Sequence, residues 1–431
     1  MGIYFGTDGL RGEYGKAVTP SITYAIGNSL ARLCKGNKKV LIGRDTRTSG
    51  STMALALASG VTAGGVNVID VGIVTTPLVA YLTSTLGCDY GVMISASHNP
   101  KNHNGIKIFD HEGYKINEQD EYKIEQNLIY PKENKYLNLG KYIYKPQLKK
   151  LYINHLVSQF GNLSGLKVAL DCANGAAFSI AKNIFQKCGA QVYAFNCGSN
   201  GKKINVKCGA LYPEVISSLT TKFGCDVGFC FDGDADRIIA CDEKGNILDG
   251  DDILYLLACN YNVDKIVGTS MTNKGLELAL SEKGISLLRA DVGDKYVSLL
   301  MRQQGAFIGG EPCGHIINSH ISSTGDGVLS ALTIASMTSG CKLSSLCNYY
   351  KFPQATININ VADKTSILNA QILQNEILKL QNEIENDGRI LVRASGTENK
   401  IRVMCEHKIA EKSNEIAENL AKIIKNLNKN T

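Results

Sequence analysis

The sequence predicts an α/β chain of several related lobes, closed by a smaller α+β domain, and three observations carry that expectation. Strand and helix signals alternate from the start to about Phe352, as they do where helices cover the faces of a mixed or parallel sheet. The pattern strand, Asp, turn, helix at Lys39 to Asp45 is echoed at Lys167 to Asp171, which hints at a repeated lobe. From Ala355 onward the alternation gives way to separate strands and long amphipathic helices. A length of 431 residues suits roughly three domains at about 150 residues each, with two or four also compatible.

Taken in order, Thr19-Pro20 reads as a helix start, with Ile22, Ala25, Ile26, Leu30 and Leu33 on one face. Lys39 to Gly43 reads as a buried strand and Asn67 to Val71 as another. Thr76-Pro77 opens a helix through Leu82, and Gly91 to Ile94 is a strand that runs into Ser95-Ala96-Ser97-His98-Asn99-Pro100. A polar stretch, Asn134 to Lys150, marks a boundary. The second unit starts with Lys167 to Asp171 and ends on the strand Val227 to Phe231, followed by Asp232-Gly233-Asp234-Ala235-Asp236-Arg237. A third unit runs from about Asp249 to Phe352. The last begins with a half-buried strand, Ala355 to Val361. A long helix is expected next, with Ile367, Ala370, Leu373, Ile377 and Leu380 on one face. Strands Arg389 to Val392 and Ile401 to Cys405 follow, then a final helix carrying Ile416, Leu420, Ile423, Ile424 and Leu427. The expected domains are therefore residues 1–150, 151–249, 250–352 and 353–431.

Composition narrows the function. The net charge of +6 is mild, there is no Trp, and no block of five Lys/Arg occurs. A nucleic-acid binder would show a denser basic stripe; the small excess suits anionic small molecules. The 14 cysteines form no C-x-x-C pair and read as reduced, buried thiols of a cytoplasmic protein. The opening Met1 to Gly6 has no basic n-region and no apolar run reaches spanning length, so neither secretion nor a membrane partner is expected.

Four signals carry chemistry, one of them a set of three loops. Asp232, Asp234 and Asp236 stand at i, i+2 and i+4 after an apolar strand. Unit charges about 4 Å apart repel by roughly 4 kcal/mol at an effective dielectric of 20, so this grouping calls for a cation, and oxygen ligands suit magnesium or calcium. An EF-hand is excluded, because Arg237 occupies the position that needs Gly and a strand precedes the loop. Ser97 ends a strand, where ligands bind in open α/β sheets; esterified with phosphate it would carry about −1.5 to −2 charges and could ligate the same ion. Three loops suit anions: Gly6 to Gly12, Gly43 to Gly50, and Arg393-Ala394-Ser395-Gly396-Thr397-Glu398. None is a Walker A or dinucleotide fingerprint, and each could equally be turn chemistry. Gly310-Glu311-Pro312-Cys313-Gly314-His315 offers a carboxylate, a thiol and an imidazole that could grip sugar hydroxyls, or could form a tight turn with an incidental His.

Taken together, Thr7 to Gly12, Ser95 to Pro100, Asp232 to Arg237, Gly310 to His315 and Arg393 to Thr397 resemble the α-D-phosphohexomutase superfamily, in the family order and over nearly the whole chain. Asp291-Val292-Gly293-Asp294-Lys295-Tyr296-Val297 and Thr269 to Asn273 resemble its bacterial amino-sugar branch, which acts on glucosamine phosphate. The resemblance implies three related α/β lobes with mixed sheets plus the smaller C-terminal domain, around a central cleft. It also implies an isomerase that moves a phosphoryl group through phospho-Ser97 and a 1,6-bisphosphate. Ser97, Asp232, Asp234 and Asp236 would then hold one Mg2+. Arg11 and Arg237 would steady the phosphoryl group. Lys107 would act as base or acid, with a lowered pKa if it is the base, and His98 beside it. Glu311, Cys313 and His315 would contact the sugar, and Arg393, Ser395, Gly396 and Thr397 the distal phosphate. Glucosamine 1,6-bisphosphate or a similar compound would serve as activator, in a monomer or homodimer. Cys313 stands where the family has Ser, Lys295 where the branch has Arg, and Asn399 where Pro is usual. The alternatives are the branches acting on mannose or glucose phosphates by the same chemistry and, more remotely, a silent sugar-phosphate-binding regulator.

Overall fold

A computed structural model describes residues 4–6, 8–129, 138–395 and 399–429; Thr7, Gly396, Thr397 and Glu398 lie outside that set. Val40, Leu41 and Ile42 are fully buried, as a parallel strand covered on both faces requires. They belong to a first sheet made of β1 (Leu10–Glu13), β2 (Lys39–Arg44), β3 (Asn67–Ile73), β4 (Tyr90–Ile94), β5 (His103–Phe109) and β6 (Tyr142–Tyr144). Its order is β1-β5-β4-β2-β3-β6. Because β6 pairs with β3, the polar stretch before Lys150 still contributes to the first sheet.

The second sheet uses β7 (Lys167–Asp171), β8 (Gln191–Phe195), β9 (Val227–Phe231), β10 (Ile238–Asp242) and β11 (Ile247–Leu248) in the order β11-β10-β9-β7-β8. The third uses β12 (Lys265–Thr269), β13 (Ser286–Ala290), β14 (Ile308–Gly310) and β15 (Ile316–Asn318) in the order β13-β12-β14-β15. The three sheets share one four-strand plan. A central strand has the next strand of the chain parallel on one side and the one after that parallel on the other; a fourth then turns back antiparallel. The echoed strands β2 and β7 are the central strands of their lobes. The turn from third to fourth strand is Ser95–Asn102 in the first lobe, Asp232–Arg237 in the second and Glu311–His315 in the third. Three of the expected chemical segments thus occupy one topological position, at the carboxyl end of a strand.

Residues Met1–Met271 and Ile285–Cys347 form one compact unit, which contains all three of these sheets; Thr272–Gly284 and Asn348–Thr431 form a second. The second unit contains β16 (Gln354–Asn360), β17 (Gly388–Ala394) and β18 (Lys400–His407), in the antiparallel order β16-β18-β17. Its core joins Leu373, Leu380, Ile401, Val403, Leu420 and Ile424. The one long helix expected after Val361 is two helices, Lys364–Leu368 and Gln371–Ile384. Ala370 is extended between them, and the Gln374 side-chain amide donates to the Leu368 carbonyl freed by the break, at 2.6 Å.

Candidate active site

The Ser97 turn is built from the lobe's first sheet outward. β4 delivers Ser95, whose hydroxyl donates to Asp45 Oδ2 at 2.7 Å and accepts the Ser97 N–H at 2.8 Å. Ser97 itself has φ 51°, a left-handed conformation that L-residues rarely adopt, so the surroundings must hold it. Arg47 does so. Its Nε donates to Asp45 (2.9 Å), and its two terminal nitrogens donate to the carbonyls of Ser97 (2.8 Å), Asn99 (2.9 Å), Pro100 (2.5 Å) and His103 (2.8 Å). All five N–H groups are used. Of the two readings open for the loop Gly43–Gly50, anion binding or turn chemistry, Asp45 and Arg47 follow the second, because their charges are spent on each other and on the backbone. Asn205, from the second lobe, adds a 2.8 Å bond to the Ser97 carbonyl.

The acidic turn reaches the same point. Ser97 Oγ donates to Asp232 Oδ2. Gly233 lies so close to the Ser97 loop that a Cβ there would meet the Ser97 carbonyl at 2.6 Å, so glycine is needed for the two loops to touch. Asp232, Asp234 and Asp236 are all buried, with ligand oxygens within 4.8 Å of one another. Thr76 Oγ1, at the start of the helix Thr76–Thr85, donates to Asp234 Oδ2 at 2.5 Å. Asp234 Oδ1 and Asp236 Oδ1 are buried without a partner. Orphaned carboxylate oxygens in an oxygen-only set fit a hard divalent cation.

Lys107 arrives on β5. Ile106 and Ile108 enter the core, so the period of two turns Lys107 to the other face. Its ammonium lies 2.8 Å from Asp234 Oδ2 and 2.5 Å from Asp236 Oδ2. Burial alone would lower its pKa, but Asp234 and Asp236 outweigh that and raise it. The lowered value expected of a resting base is thus reversed, since the side chain stands where it neutralises the triad. Asp232 is pushed well up by burial and by Asp236 and Asp234. Asp236 is held well down; burial opposes this, but Lys107, His315 and Arg237 prevail. His98 Nδ1 is 3.3 Å from Ser97 Oγ, and burial, Arg237 and Arg11 lower its pKa to about 3, which keeps the ring neutral.

Arg11 and Arg237 each keep a buried Nε–H without an acceptor, so the pocket holds spare donors for an anion beside spare oxygens for a cation. Arg11 pairs with Asp8. Lys115 links Asp8 to Asp294, a bridge from the first lobe to the third. In the third lobe's turn, His315 Nε2 accepts the Gly325 N–H at 3.2 Å, which points Nδ1 toward Asp236 Oδ2, 3.8 Å away. A Cβ at Gly325 would meet the ring at 2.4 Å. Glu311 Oε1 accepts the Gly293 N–H at 3.2 Å, and Cys313 is exposed beside it, its Sγ 3.8 Å from Glu311 Oε2.

Ser97, His98, Lys107, Arg11, Arg237, the three aspartates and His315 are thus linked by direct contacts or mutual fields within one unit, with Glu311 and Cys313 on the same turn as His315. Arg393 and Ser395 belong to the other unit, and Gly396 and Thr397 lie outside the described residues. Sequence reasoning missed Arg47 as a clamp, Thr76 and Asn205 as supports, and the Asp8–Lys115–Asp294 bridge. Thr76-Pro77 was legible as a helix start; nothing local marks Asn205.

Three lobes of one plan, each lending its equivalent turn to a shared phosphoryl-type pocket, define a class that comparison with known proteins makes specific. Models of the phosphoglucomutase/phosphomannomutase family match along the chain: alpha/beta/alpha domain I over residues 2–135, domain II over 150–245, domain III over 249–352 and the C-terminal domain over 357–423. The chain belongs to this family. Within it, the relatives matched include phosphoglucosamine mutases. That of Natranaerobius thermophilus is 42% identical over 98% of both chains, and that of Deinococcus radiodurans 40% identical over 98% of this chain and 97% of its own. The fold alone is shared with a Burkholderia thailandensis phosphoglucomutase/phosphomannomutase family protein (TM-score 0.82, 23% identity, 97% and 96% coverage). It is shared too with Aspergillus fumigatus N-acetylphosphoglucosamine mutase, solved with GlcNAc-6P and magnesium (TM-score 0.67, 18% identity, 99% and 96% coverage). Among the described residues no helix is long and apolar enough to cross a membrane.

Proposed function

We propose that this enzyme is an isomerase that interconverts glucosamine 6-phosphate and glucosamine 1-phosphate, carrying the phosphoryl group on Ser97. One observation supports the reading most: the Ser97 hydroxyl bonds to the acidic triad, at a point where carboxylate oxygens and guanidinium N–H groups are both left without partners. Phosphoryl transfer needs such placement of opposite charges more than covalent ingenuity.

Asp232, Asp234 and Asp236, with an oxygen of phospho-Ser97, would hold Mg2+, which supplies charge neutralisation at the phosphoryl oxygens. Ser97 presents the phosphoryl group, and Arg11 and Arg237 hold its oxygens as the bond to Ser97 Oγ breaks and that to the sugar hydroxyl forms. Lys107 is placed to give Ser97 Oγ a proton as its phosphoryl group leaves and to recover one from the sugar hydroxyl, acting as acid and then base, with His98 beside Ser97. The roles exchange when glucosamine 1,6-bisphosphate, turned end for end, gives its other phosphate back. Glu311, Cys313 and His315 contact the ring. Arg393, Ser395, Gly396 and Thr397 are assigned to the distal phosphate on their motif alone. Fourteen free cysteines support a cytoplasmic setting.

The test is turnover of glucosamine, mannose and glucose 6-phosphates side by side with magnesium and a trace of bisphosphate, together with intact-mass analysis of Ser97. Glucosamine 6-phosphate should be preferred and phosphate should be found on Ser97. Mannose or glucose phosphate winning the panel would move the assignment to those branches. Binding without turnover would make the protein a regulator.

A further inference from the structure

Gly293-Asp294 opens the helix Asp294–Gln304 and is fastened to the sugar-contacting turn by the Gly293 N–H, which donates to Glu311 Oε1 at 3.2 Å. Asp294 Oδ2 lies 3.5 Å from His315 Nε2, and Asp294 and His315 line a cavity of about 520 Å³ together with Lys115, Asn117, Arg302 and Ser323. Asp294 is buried and anionic, because Lys115 and His315 outweigh the burial that would protonate it.

The charges around it are unevenly shared. Lys115 divides one ammonium between Asp8 and Asp294. Asp8 has Arg11 as a second cation and Lys107 3.6 Å away. Asp294 adds the Lys295 backbone N–H, which donates to Oδ1 at 2.8 Å, while the His315 nitrogen 3.5 Å from it already accepts the Gly325 N–H. Of the two carboxylates, Asp294 is the less compensated, and it is the one on the sugar-contacting wall.

We propose that Asp294 is the specificity residue that reads the ring amino group of a hexosamine phosphate, through an ion pair that a hexose hydroxyl cannot form. This rests on the glucosamine phosphate activity proposed above. An ammonium gives Asp294 an ion pair of its own besides the Lys115 ammonium it shares with Asp8, whereas a hydroxyl gives a hydrogen bond but no net charge, so the discrimination should be on the order of tenfold. Lys115 is the positioning residue that keeps the carboxylate on that wall.

The experiment compares kcat/KM for glucosamine 6-phosphate and glucose 6-phosphate in the wild-type enzyme and in Asp294→Asn, which is isosteric and keeps an oxygen for the Lys295 N–H. The glucosamine-to-glucose ratio should fall about tenfold. A loss by the same factor on both sugars overturns the proposal and leaves Asp294 a structural residue. A second measurement uses the wild-type enzyme alone. Taking the sugar amine to have a pKa of about 8, like an α-amino group, the kcat/KM ratio of glucosamine to glucose phosphate should fall between about pH 7 and 9. Ionisations of the free enzyme that act alike on both sugars cancel in that ratio. A flat ratio overturns the proposal. Absence of glucosamine phosphate turnover at any pH removes the proposed activity and this inference with it, whereas turnover with an unmoved ratio removes this inference alone.

Discussion

The Asp45–Arg47 bend and the Asp232–Asp236 turn both bury charge beside Ser97, yet only one of them is balanced. At the bend, one carboxylate meets one guanidinium, and every N–H of that guanidinium has an acceptor. At the turn, one ammonium is shared by two of the three carboxylates, and two buried oxygens have nothing to accept. Both are short polar loops after a buried strand; the sequence shows the crowded carboxylates of the second but not that the charges of the first are spent. The difference teaches that buried charge marks a reactive site where its partners run out, and marks scaffolding where they do not.

The sharpest test falls on the group between the two regions. Ser97→Ala should lower mutase turnover by about a thousandfold or more, since it removes the covalent carrier. The unfolding midpoint in urea should stay near that of the wild type; undiminished turnover would break the comparison at its centre. Next, Asp234→Asn should cost about a hundredfold or more in kcat, the scale of losing a cation's charge stabilisation. In cation-free buffer the same variant should unfold no earlier than wild type, because it removes one of the crowded charges. An equal loss of activity and stability would place the turn with the bend.

Arg47→Met inverts that pattern. It leaves Asp45 buried and unpaired, so urea unfolding should show a loss of about 3–5 kcal/mol, and any fall in activity should track the unfolded or loosened fraction. The smallest effect is expected from the ion itself. Magnesium at about 100 times its Kd should stabilise the protein by roughly 2.7 kcal/mol, a rise of a few degrees in Tm that disappears in Asp234→Asn and persists in Arg47→Met. A rise that survives in Asp234→Asn would place the cation elsewhere.

Much of this was legible along the chain. Val40 to Ile42 and Val227 to Phe231 are buried on both faces, and such runs announce a covered sheet. Asp232, Asp234 and Asp236 announce a cation by spacing, since no solvated turn gains from three adjacent carboxylates. The helix after Val361 was misread as continuous, because its apolar period runs on through Asn369 and Ala370, and period alone does not register an extended residue. Lys107 was expected as base or acid, with a lowered pKa if the base; the two carboxylates that instead raise its pKa lie about 130 residues away in the chain, where no local pattern shows them.

The sequence by itself determined the lobes, the acidic turn, the serine at a strand end and the loop Glu311 to His315, because each is a local pattern written in a few consecutive residues. Only the tertiary structure decided which charges are spent and which are spare. Arg47 reaches four carbonyls over the span Ser97 to His103, Lys107 settles between Asp234 and Asp236, and Lys115 joins Asp8 to Asp294. Electrostatic energy depends on distance in space and on burial, and neither is a property of position along the polymer.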